Sequence, residues 1–378
     1  MHFITKEKLL SLFDGKSSKT FNDFIKNTHV RNGKKLTPLK DYMISNDINK
    51  NDLKELYENI NIIHRNEYLE RFYNVSLEIP ETLKITDNPM TNRNMNNNSL
   101  VNYKNVIRNM FYKEILRDTK SGFNNNPSFF TVLDELYNKQ IIDYKILTPS
   151  ALFYMKNGRL GSVFSSFYFR ASIMNPYLVY SLNHSVLKGK RVFTPTLGWC
   201  SYCYGFLECP DVIEYVGTDV IKKVCTTTEQ FAHKYYPDKT VNIYCKPSED
   251  LYSNASFMKK YKNHFDVVFF SPPYYELELY PGTNQSTHRY KTYEEWLSEY
   301  WEKTIQLCHS VLTSNGKMCY ILSGYGSENT GNQYDLLKDM NTISKKYFKL
   351  HSSQKMHNKN VHVTQHRETD EKIMIFTK

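Results

Sequence analysis

One short stretch, an apolar run that ends in two consecutive prolines, most constrains the fold of this chain. Asp266 opens the run at residues 267–270, whose β-branched and aromatic side chains predict a buried parallel strand. Pro272 and Pro273 cannot donate ladder hydrogen bonds, so the backbone leaves the sheet there. Open α/β sheets bind ligands at the carboxyl ends of their strands. The run therefore predicts an α/β fold with residues 271–274 at a cleft, the alternative being a turn that only ends a strand.

Three earlier apolar runs also read as parallel strands that end on polar residues. They span residues 190–193, 212–219 and 241–245. The first leads into Pro195 and Gly198. The second ends on Asp219, about 20 residues after Gly198, which is the spacing at which an acid reaches a nucleotide ribose. The third is followed by Asp250. This alternation of strands and acidic residues is typical of a doubly wound sheet, in which the polar ends of the strands converge on one cleft.

Two of these strand ends carry a family resemblance. Ser271-Pro272-Pro273-Tyr274 resembles motif IV of the S-adenosylmethionine-dependent methyltransferases that modify exocyclic amino groups of nucleobases. Residues 194–201 resemble motif I of the same enzymes, in a Gly-Trp-Gly variant associated with phage- and large-virus-type DNA methyltransferases. Thr194 stands where that family has Asp, and Cys200 where it has the second Gly. The resemblance covers roughly residues 145–378.

The resemblance implies a Rossmann-like methyltransferase sheet with a closing β-hairpin, preceded by a mostly α-helical N-terminal region. We expect the helical N-terminal region to comprise residues 1–144 and the methyltransferase domain residues 145–378. Helical spacing of apolar residues predicts helices within residues 1–85, 101–116 and 129–144, and the Asn-rich residues 87–98 read as a loop. Residues 276–293 read as a loop over the cleft and 293–312 as a helix. Residues 317–322, 349–356 and 371–376 predict the last strands, and the final two form the hairpin.

S-adenosylmethionine is the cofactor that the resemblance implies. The residues assigned to it are Arg170, Thr194, Pro195, Gly198, Asp219, Asp250, Leu251 and Ser271. Asp219 is expected to hold the ribose and Asp250 the adenine amino group. Glu214 and Glu249 are the next choices if the strand ends lie elsewhere.

Catalysis is assigned to Ser271, Pro272, Pro273 and Tyr274. An aromatic amino group is a poor nucleophile because its lone pair is delocalised into the ring, so alignment is the main requirement. The Ser271 hydroxyl and the Pro272 carbonyl are expected to accept the amine's N–H groups. Pro273 stiffens the loop, and Tyr274 offers a face on which the base stacks. A base inside a duplex is out of reach, so base flipping is implied.

The net charge of +10 favours a polyanionic partner. Residues 151–200 contain six Lys or Arg and no acid, which indicates either phosphate contacts or a solvated basic face. The residues assigned to nucleic acid are Lys188, Lys190, Arg191, His288 and Arg289. DNA is the expected partner. An RNA adenine methyltransferase and a catalytically inactive nucleic-acid-binding protein are the alternatives, and adenine versus cytosine stays open.

The seven cysteines all lie between Cys200 and Cys319. This odd number, with no signal peptide, predicts free thiols in a reducing intracellular compartment. No apolar run approaches 18 residues, so no membrane span is expected. Cys200, Cys203 and Cys209 are not followed by a second Cys/His pair at ligand spacing, so no metal is predicted. The sequence leaves the oligomeric state open.

Overall fold

The structure, a computed structural model, describes residues 1–15, 18, 20–63, 67, 69, 82–122, 126–157, 159–323, 335–357 and 371–378. The chain forms two compact units. The N-terminal unit contains His2–Glu78 and Arg108–Ala171, and the sheet unit contains Met1, Ile79–Ile107 and Ser172–Lys378. The two units are not separated at a single point in the chain, because residues 79–107 belong to the sheet unit and residues 145–171 to the N-terminal unit.

The N-terminal unit is built mainly from short helices. The α-helices are Lys6–Ser11, Phe21–Asn27, Leu39–Ser45, Lys50–Glu58, Phe129–Asn138, Pro149–Lys156 and Leu160–Phe167, and Asn102–Met110 ends in this unit. Asn59–Ile63 and Glu114–Asp118 are π-helical, and Tyr144–Leu147 is a 3₁₀ turn. The strands are β1 (His29–Asn32), β2 (Lys35–Pro38), β3 (Lys120–Ser121) and β4 (Ile141–Asp143). Local capping explains several helix starts, as where the Thr20 hydroxyl accepts the Asp23 N–H.

A three-stranded sheet corrects the expectation of helix throughout this region. Its order is β2-β1-β4, with β1 antiparallel to β2 and parallel to β4. The β1–β2 hairpin turns at Gly33, whose φ of 61° suits a residue without Cβ. The helix predicted over residues 129–144 ends at Asn138. Gln140 then takes a φ of 55°, and the β-branched pair Ile141 and Ile142 continues as a strand.

The sheet unit contains the remaining strands and their covering helices. The strands are β5 (Arg191–Thr194), β6 (Glu214–Asp219), β7 (Thr240–Cys245), β8 (Phe265–Phe270), β9 (Glu278–Leu279), β10 (Leu312–Leu322), β11 (Lys349–Lys355) and β12 (Lys372–Thr377). The α-helices are Pro176–Leu182, Ser201–Leu207, Lys222–Tyr235, Ser248–Leu251, Ala255–Tyr261, Ser286–Arg289, Tyr293–Glu295, Lys303–Val311 and Leu336–Ser344. Asn183–Leu187 and Trp296–Glu302 are π-helical, and Asn92–Asn94 and Gly198–Cys200 form 3₁₀ turns.

The large sheet has the order β11-β12-β10-β8-β5-β6-β7. β5 pairs in parallel with β6 on one side and with β8 on the other, and β6–β7 and β8–β10 are also parallel. The chain therefore leaves β5 in one direction, through β6 and β7, and returns to its other side at β8. Such a switch point opens a crevice at the carboxyl ends of the two central strands.

The last two strands close the sheet in antiparallel fashion. β12 lies between β10 and β11 and runs antiparallel to both. This arrangement confirms the predicted Rossmann-like methyltransferase sheet with a closing hairpin. β5 and β8 are buried along nearly their whole length, as expected for central parallel strands covered on both faces. The strand predicted over residues 317–322 begins earlier, at Leu312, and its register with β8 shifts between Leu312 and Lys317.

Candidate active site

A cavity lies at the carboxyl ends of β5, β6, β7 and β8, within the sheet unit. Seven of the residues predicted to act at the site line it: Pro195, Gly198, Asp219, Ser271, Pro272, Pro273 and Tyr274. The parallel ends of neighbouring strands meet at one edge of the sheet, which explains why segments about 75 residues apart share a wall.

The loop after β5 has an unusual backbone. Gly198, Trp199 and Cys200 have φ values of 51°, 58° and 72°. A Cβ built on Gly198 would lie 2.3 Å from Cζ of Tyr202, so glycine is required both by conformation and by space. Cys200, which replaces the family's second glycine, keeps the left-handed conformation although its side chain is buried. The backbone at Cys200 therefore keeps the left-handed conformation that a glycine would adopt there, at a cost of about 1–2 kcal/mol in backbone strain.

Asp219 ties this loop to the end of β6. Its Oδ2 accepts the Leu197 N–H at 3.2 Å, and its Oδ1 accepts the Ile221 N–H at 3.0 Å. Burial raises the pKa of Asp219, and these backbone hydrogen bonds oppose that rise. Each carboxylate oxygen retains a lone pair for a further donor. The side chain thus both shapes the loop and offers acceptor positions in the cavity wall.

Ser271 is oriented by two contacts. Its hydroxyl donates to the main-chain carbonyl of Ile321 on β10 at 3.1 Å. Its backbone N–H donates to the phenol oxygen of Tyr202 at 3.0 Å. The Tyr274 phenol also interacts with the Ser271 hydroxyl. Because the hydroxyl proton is directed to Ile321, Oγ faces the cavity as a hydrogen-bond acceptor.

Tyr274 is held at the same edge. Its phenol oxygen accepts the N–H of Ser323 at 3.2 Å, and burial raises the pKa of Tyr274. The next residue, Tyr275, takes a φ of 48° and packs its ring against Tyr293 and Trp296. The two residues that follow the prolines, Tyr274 and Tyr275, are therefore both held by contacts with other segments of the chain.

Glu249 and Asp250 share one arginine but face different surroundings. Arg289 donates to Glu249 Oε1 and to Asp250 Oδ1, each at 2.7 Å. Glu249 is 4% exposed and lines the cavity, whereas the side chain of Asp250 is 49% exposed and does not. Burial raises the pKa of Glu249, while Arg289 lowers it. Tyr290 also donates to Glu249, at 3.3 Å.

The charge of the cavity wall is strongly unbalanced. Its acidic residues are Asp219, Glu249, Glu278 and Glu371. Among the described residues that line it, Lys246 is the only Lys or Arg. Arg289 pairs with Glu249, and burial raises the pKa of Asp219, Glu249 and Glu371, so the net negative charge of the wall is smaller than this count. A wall of carboxyl groups with one lysine still favours cationic groups and hydrogen-bond donors over phosphates.

Three other residues predicted to contact the cofactor lie outside the cavity wall. Thr194 is buried, with its hydroxyl 2.6 Å from the phenol oxygen of Tyr215. Leu251 is buried in the core. Arg170 belongs to the N-terminal unit. Asp250, described above, also lies outside the cavity wall.

The predicted nucleic-acid contacts fall into two groups. Lys188, Lys190 and Arg191 are exposed and lie at or just before the start of β5, the edge of the sheet opposite the cavity. A four-residue strand spans roughly 13 Å, so they do not border the cleft. His288 is exposed, with Nδ1 2.6 Å from the Gly282 carbonyl oxygen, and Arg289 is engaged by two carboxylates.

Several cavity residues were not predicted from the sequence. They include Asn97, Ser172, Ile173, Met174, Tyr202, Glu278, Tyr280, Tyr300 and Glu371. Asn97 comes from the segment read as a loop, where its Oδ1 accepts the Asn175 N–H at 2.7 Å. Tyr202, four positions after Gly198, and Glu278, four positions after Tyr274, were close enough to a motif to be found from local sequence.

The three cysteines Cys200, Cys203 and Cys209 do not form a metal site. Cys200, Cys203 and Cys209 are buried and free. Within the described ranges, no cluster of three or more His, Cys, Asp or Glu side chains is arranged to hold a metal ion. No helix in that part of the chain combines the length and apolar character needed to cross a bilayer.

No protein-family model matches the chain, and no curated protein matches it in sequence. Similar solved structures include the N-methyltransferase NodS of Bradyrhizobium japonicum WM9 with S-adenosyl-L-homocysteine (10% identity, TM-score 0.34, 53% of this chain and 82% of that chain). A methyltransferase of Pyrococcus furiosus has 15% identity and a TM-score of 0.34 over 54% of this chain and 83% of its own. The 1,6-didemethyltoxoflavin-N1-methyltransferase of Burkholderia thailandensis, with S-adenosylhomocysteine, has 10% identity and a TM-score of 0.33 over 53% and 76%. Similarity at this level carries no information on ligand or reaction, so the fold class follows from the strand order above.

Proposed function

We propose that this protein transfers a methyl group from S-adenosylmethionine to an exocyclic amino group of a nucleobase. The observation that carries the proposal is the Ser271 hydroxyl. Its proton is donated to Ile321, so that Oγ presents acceptor lone pairs at the carboxyl end of β8. An amino group needs such an acceptor, because a hydrogen bond from its N–H draws the nitrogen toward tetrahedral geometry and localises its lone pair.

The charge of the cavity supports S-adenosylmethionine over a dinucleotide. The cofactor carries a sulfonium and an ammonium group, and four carboxyl side chains line the wall against one lysine. A nicotinamide or flavin dinucleotide carries a pyrophosphate, which such a wall would repel. Asp219 would accept the ribose hydroxyls. Glu249 would accept the adenine amino group, in place of Asp250, because it is Glu249 that lines the cavity.

The chain's own residues would act by alignment. When bound, the cofactor supplies an electrophilic methyl group. Ser271 Oγ and the Pro272 carbonyl would accept the two N–H groups of the substrate amine, and Tyr274 would stack on the base. No nucleophilic side chain is required, since holding donor and acceptor in line is itself a large rate factor. The proton released from the amine passes to solvent.

We propose DNA as the substrate, with RNA as the alternative. The support is the Ser-Pro-Pro-Tyr motif together with the net charge of +10. A base would have to be flipped out of a duplex to reach Ser271. The exposed basic residues Lys188, Lys190 and Arg191 lie at the edge of the sheet opposite the cavity. They would therefore contact phosphates at a distance from the point where the base enters the cavity.

The proposal is tested by cofactor titration and by methyl transfer. Wild-type protein should bind S-adenosylhomocysteine in calorimetry and transfer tritiated methyl groups to DNA or RNA, with the product base identified by nucleoside analysis. Ser271→Ala should keep cofactor affinity and lose about 10²–10³ in transfer rate, as on loss of one preorganised polar group. Ser298→Ala is the control, because that hydroxyl is exposed and bonds only the Glu295 carbonyl among the contacts described. Failure of the wild type to bind the cofactor would favour an inactive nucleic-acid-binding protein.

A further inference from the structure

Tyr300 occupies an irregular part of the helix that covers the cavity. Residues Tyr293–Glu295 and Lys303–Val311 are α-helical, but Trp296–Glu302 between them is π-helical. A π-helical insertion adds a residue to the turn and changes the direction of its side chains, and such segments occur frequently at functional sites. Tyr300 lies in this segment and its side chain lines the cavity.

The phenol oxygen of Tyr300 has no hydrogen-bond partner among the described residues. The residue is only 4% exposed. Leaving a buried hydroxyl unpaired is unfavourable, so such a group in a cavity wall points to a ligand. Burial raises the pKa of Tyr300, and therefore the phenol stays protonated and is able to donate.

Glu249 lies on the helical turn Ser248–Leu251, which packs against the π-helical segment that carries Tyr300. Both residues line the same cavity, and the Glu249 carboxylate adds to the rise that burial causes in the pKa of Tyr300. Glu249 only accepts hydrogen bonds when ionised, whereas Tyr300 is able to donate one. A ligand edge that matches them must present a donor beside an acceptor. The amino group and the neighbouring ring nitrogen of adenine form such an edge.

We propose that Tyr300 is a specificity-determining residue for the cofactor, donating its hydroxyl to a ring nitrogen of the adenine whose amino group bonds Glu249. This rests on the proposed function. The donated hydrogen bond requires a ring nitrogen that accepts, namely N1 beside the amino group, so Tyr300 distinguishes adenine from a ring in which C–H replaces N1. Glu249 would keep its hydrogen bond to the amino group in both rings.

The test compares S-adenosylhomocysteine with its 1-deazaadenosyl analogue, in which C–H replaces ring nitrogen N1, by calorimetry, using the full chain and Tyr300→Phe. The wild type should prefer the adenosyl ligand. Tyr300→Phe should weaken adenosyl binding by up to about tenfold, the effect of one hydrogen bond, and should reduce the preference over the 1-deaza ligand. The thermal midpoint of the free variant should not fall, because the lost hydroxyl has no protein partner among the described residues.

Tyr293→Phe is the matched control. Its hydroxyl donates to Asp339 at 3.1 Å, and Tyr293 does not line the cavity. This variant should keep the affinity and preference of the wild type while its thermal midpoint falls. Unchanged adenosyl affinity in Tyr300→Phe, or an equal loss for both ligands with a lower midpoint, would overturn the assignment of Tyr300 alone. A wild type that binds neither ligand would overturn the proposed function as well.

Discussion

Replacing Gly198 with alanine tests the close packing of the cofactor loop most directly. Gly198 has a φ of 51°, in the left-handed region, and its Cα faces the ring of Tyr202. The added methyl would lie 2.3, 2.5 and 2.7 Å from three ring carbons. Tyr202 has little room to retreat, since its ring packs edge-on against Phe269 and its phenol oxygen holds the Ser271 N–H.

Two costs add in this variant. An L-residue in the left-handed region costs roughly 1–2 kcal/mol. Overpacking a filled site costs typically about 1–3 kcal/mol. Alanine also reduces the entropy of the unfolded chain, which offsets about 0.4–1 kcal/mol. We therefore expect the free energy of unfolding to fall by about 1–4.6 kcal/mol, the balance of these three terms.

Urea denaturation followed by tryptophan fluorescence measures this loss, because Trp199, Trp296 and Trp301 all belong to the sheet unit. Gly33→Ala is the backbone control, because Gly33 has a φ of 61°, in the same left-handed region, and nothing lies within 4 Å of its added Cβ. Gly33 belongs to the N-terminal unit, so the unfolding of this variant is followed by far-ultraviolet circular dichroism. It should show only the backbone cost. If Gly198→Ala loses no more stability than Gly33→Ala, each at its wild-type denaturant slope, the contact with Tyr202 is unimportant and the reasoning is refuted.

The other predictions concern the residues that align the site. Tyr202→Phe leaves the Ser271 N–H without its acceptor, so we expect about 1–3 kcal/mol lower stability and slower methyl transfer, measured by urea denaturation and single-turnover assays. Glu249→Ala should raise the dissociation constant of S-adenosylhomocysteine about tenfold or more, while Asp250→Ala, which also removes one partner of Arg289, changes it little. Equal effects would contradict the choice of Glu249. Because burial raises the pKa of Glu249 and its ionised form accepts the bond, wild-type affinity should fall as the pH drops through that pKa, and Glu249→Ala should flatten this dependence.

The strands of the large sheet were predictable because their signal is local. Continuous apolar, β-branched and aromatic runs such as residues 265–270 mark strands that are buried on both faces. The prolines after Ser271 mark where β8 ends. Since the carboxyl ends of parallel strands lie along one edge, it followed that Asp219, Gly198 and Ser271 would meet. All three line the cavity.

The N-terminal unit was less predictable because its signals are short. Asn32-Gly33 is a hairpin signal, but the strands around it have only four residues each and no strong alternation. The strand Ile141–Asp143 follows directly on a helix of similar apolar character. Pairing with β1, distant in sequence, stabilises this strand, and no local pattern encodes that contact.

The sequence by itself determined the succession of the strands along the chain and the short polar segments that follow each central strand, and its family resemblance implied the closing hairpin. Tertiary structure alone decided which side chain of each segment faces the cavity. In Ser248–Leu251 a helical turn directs Glu249 inward and Asp250 to solvent, although the two are adjacent and chemically alike. Residues Asn97, Tyr300 and Glu371 reach the same cavity from segments far apart in the chain. The physical reason is that local composition sets backbone conformation, whereas side-chain direction and long-range proximity depend on how the helices pack onto the sheet.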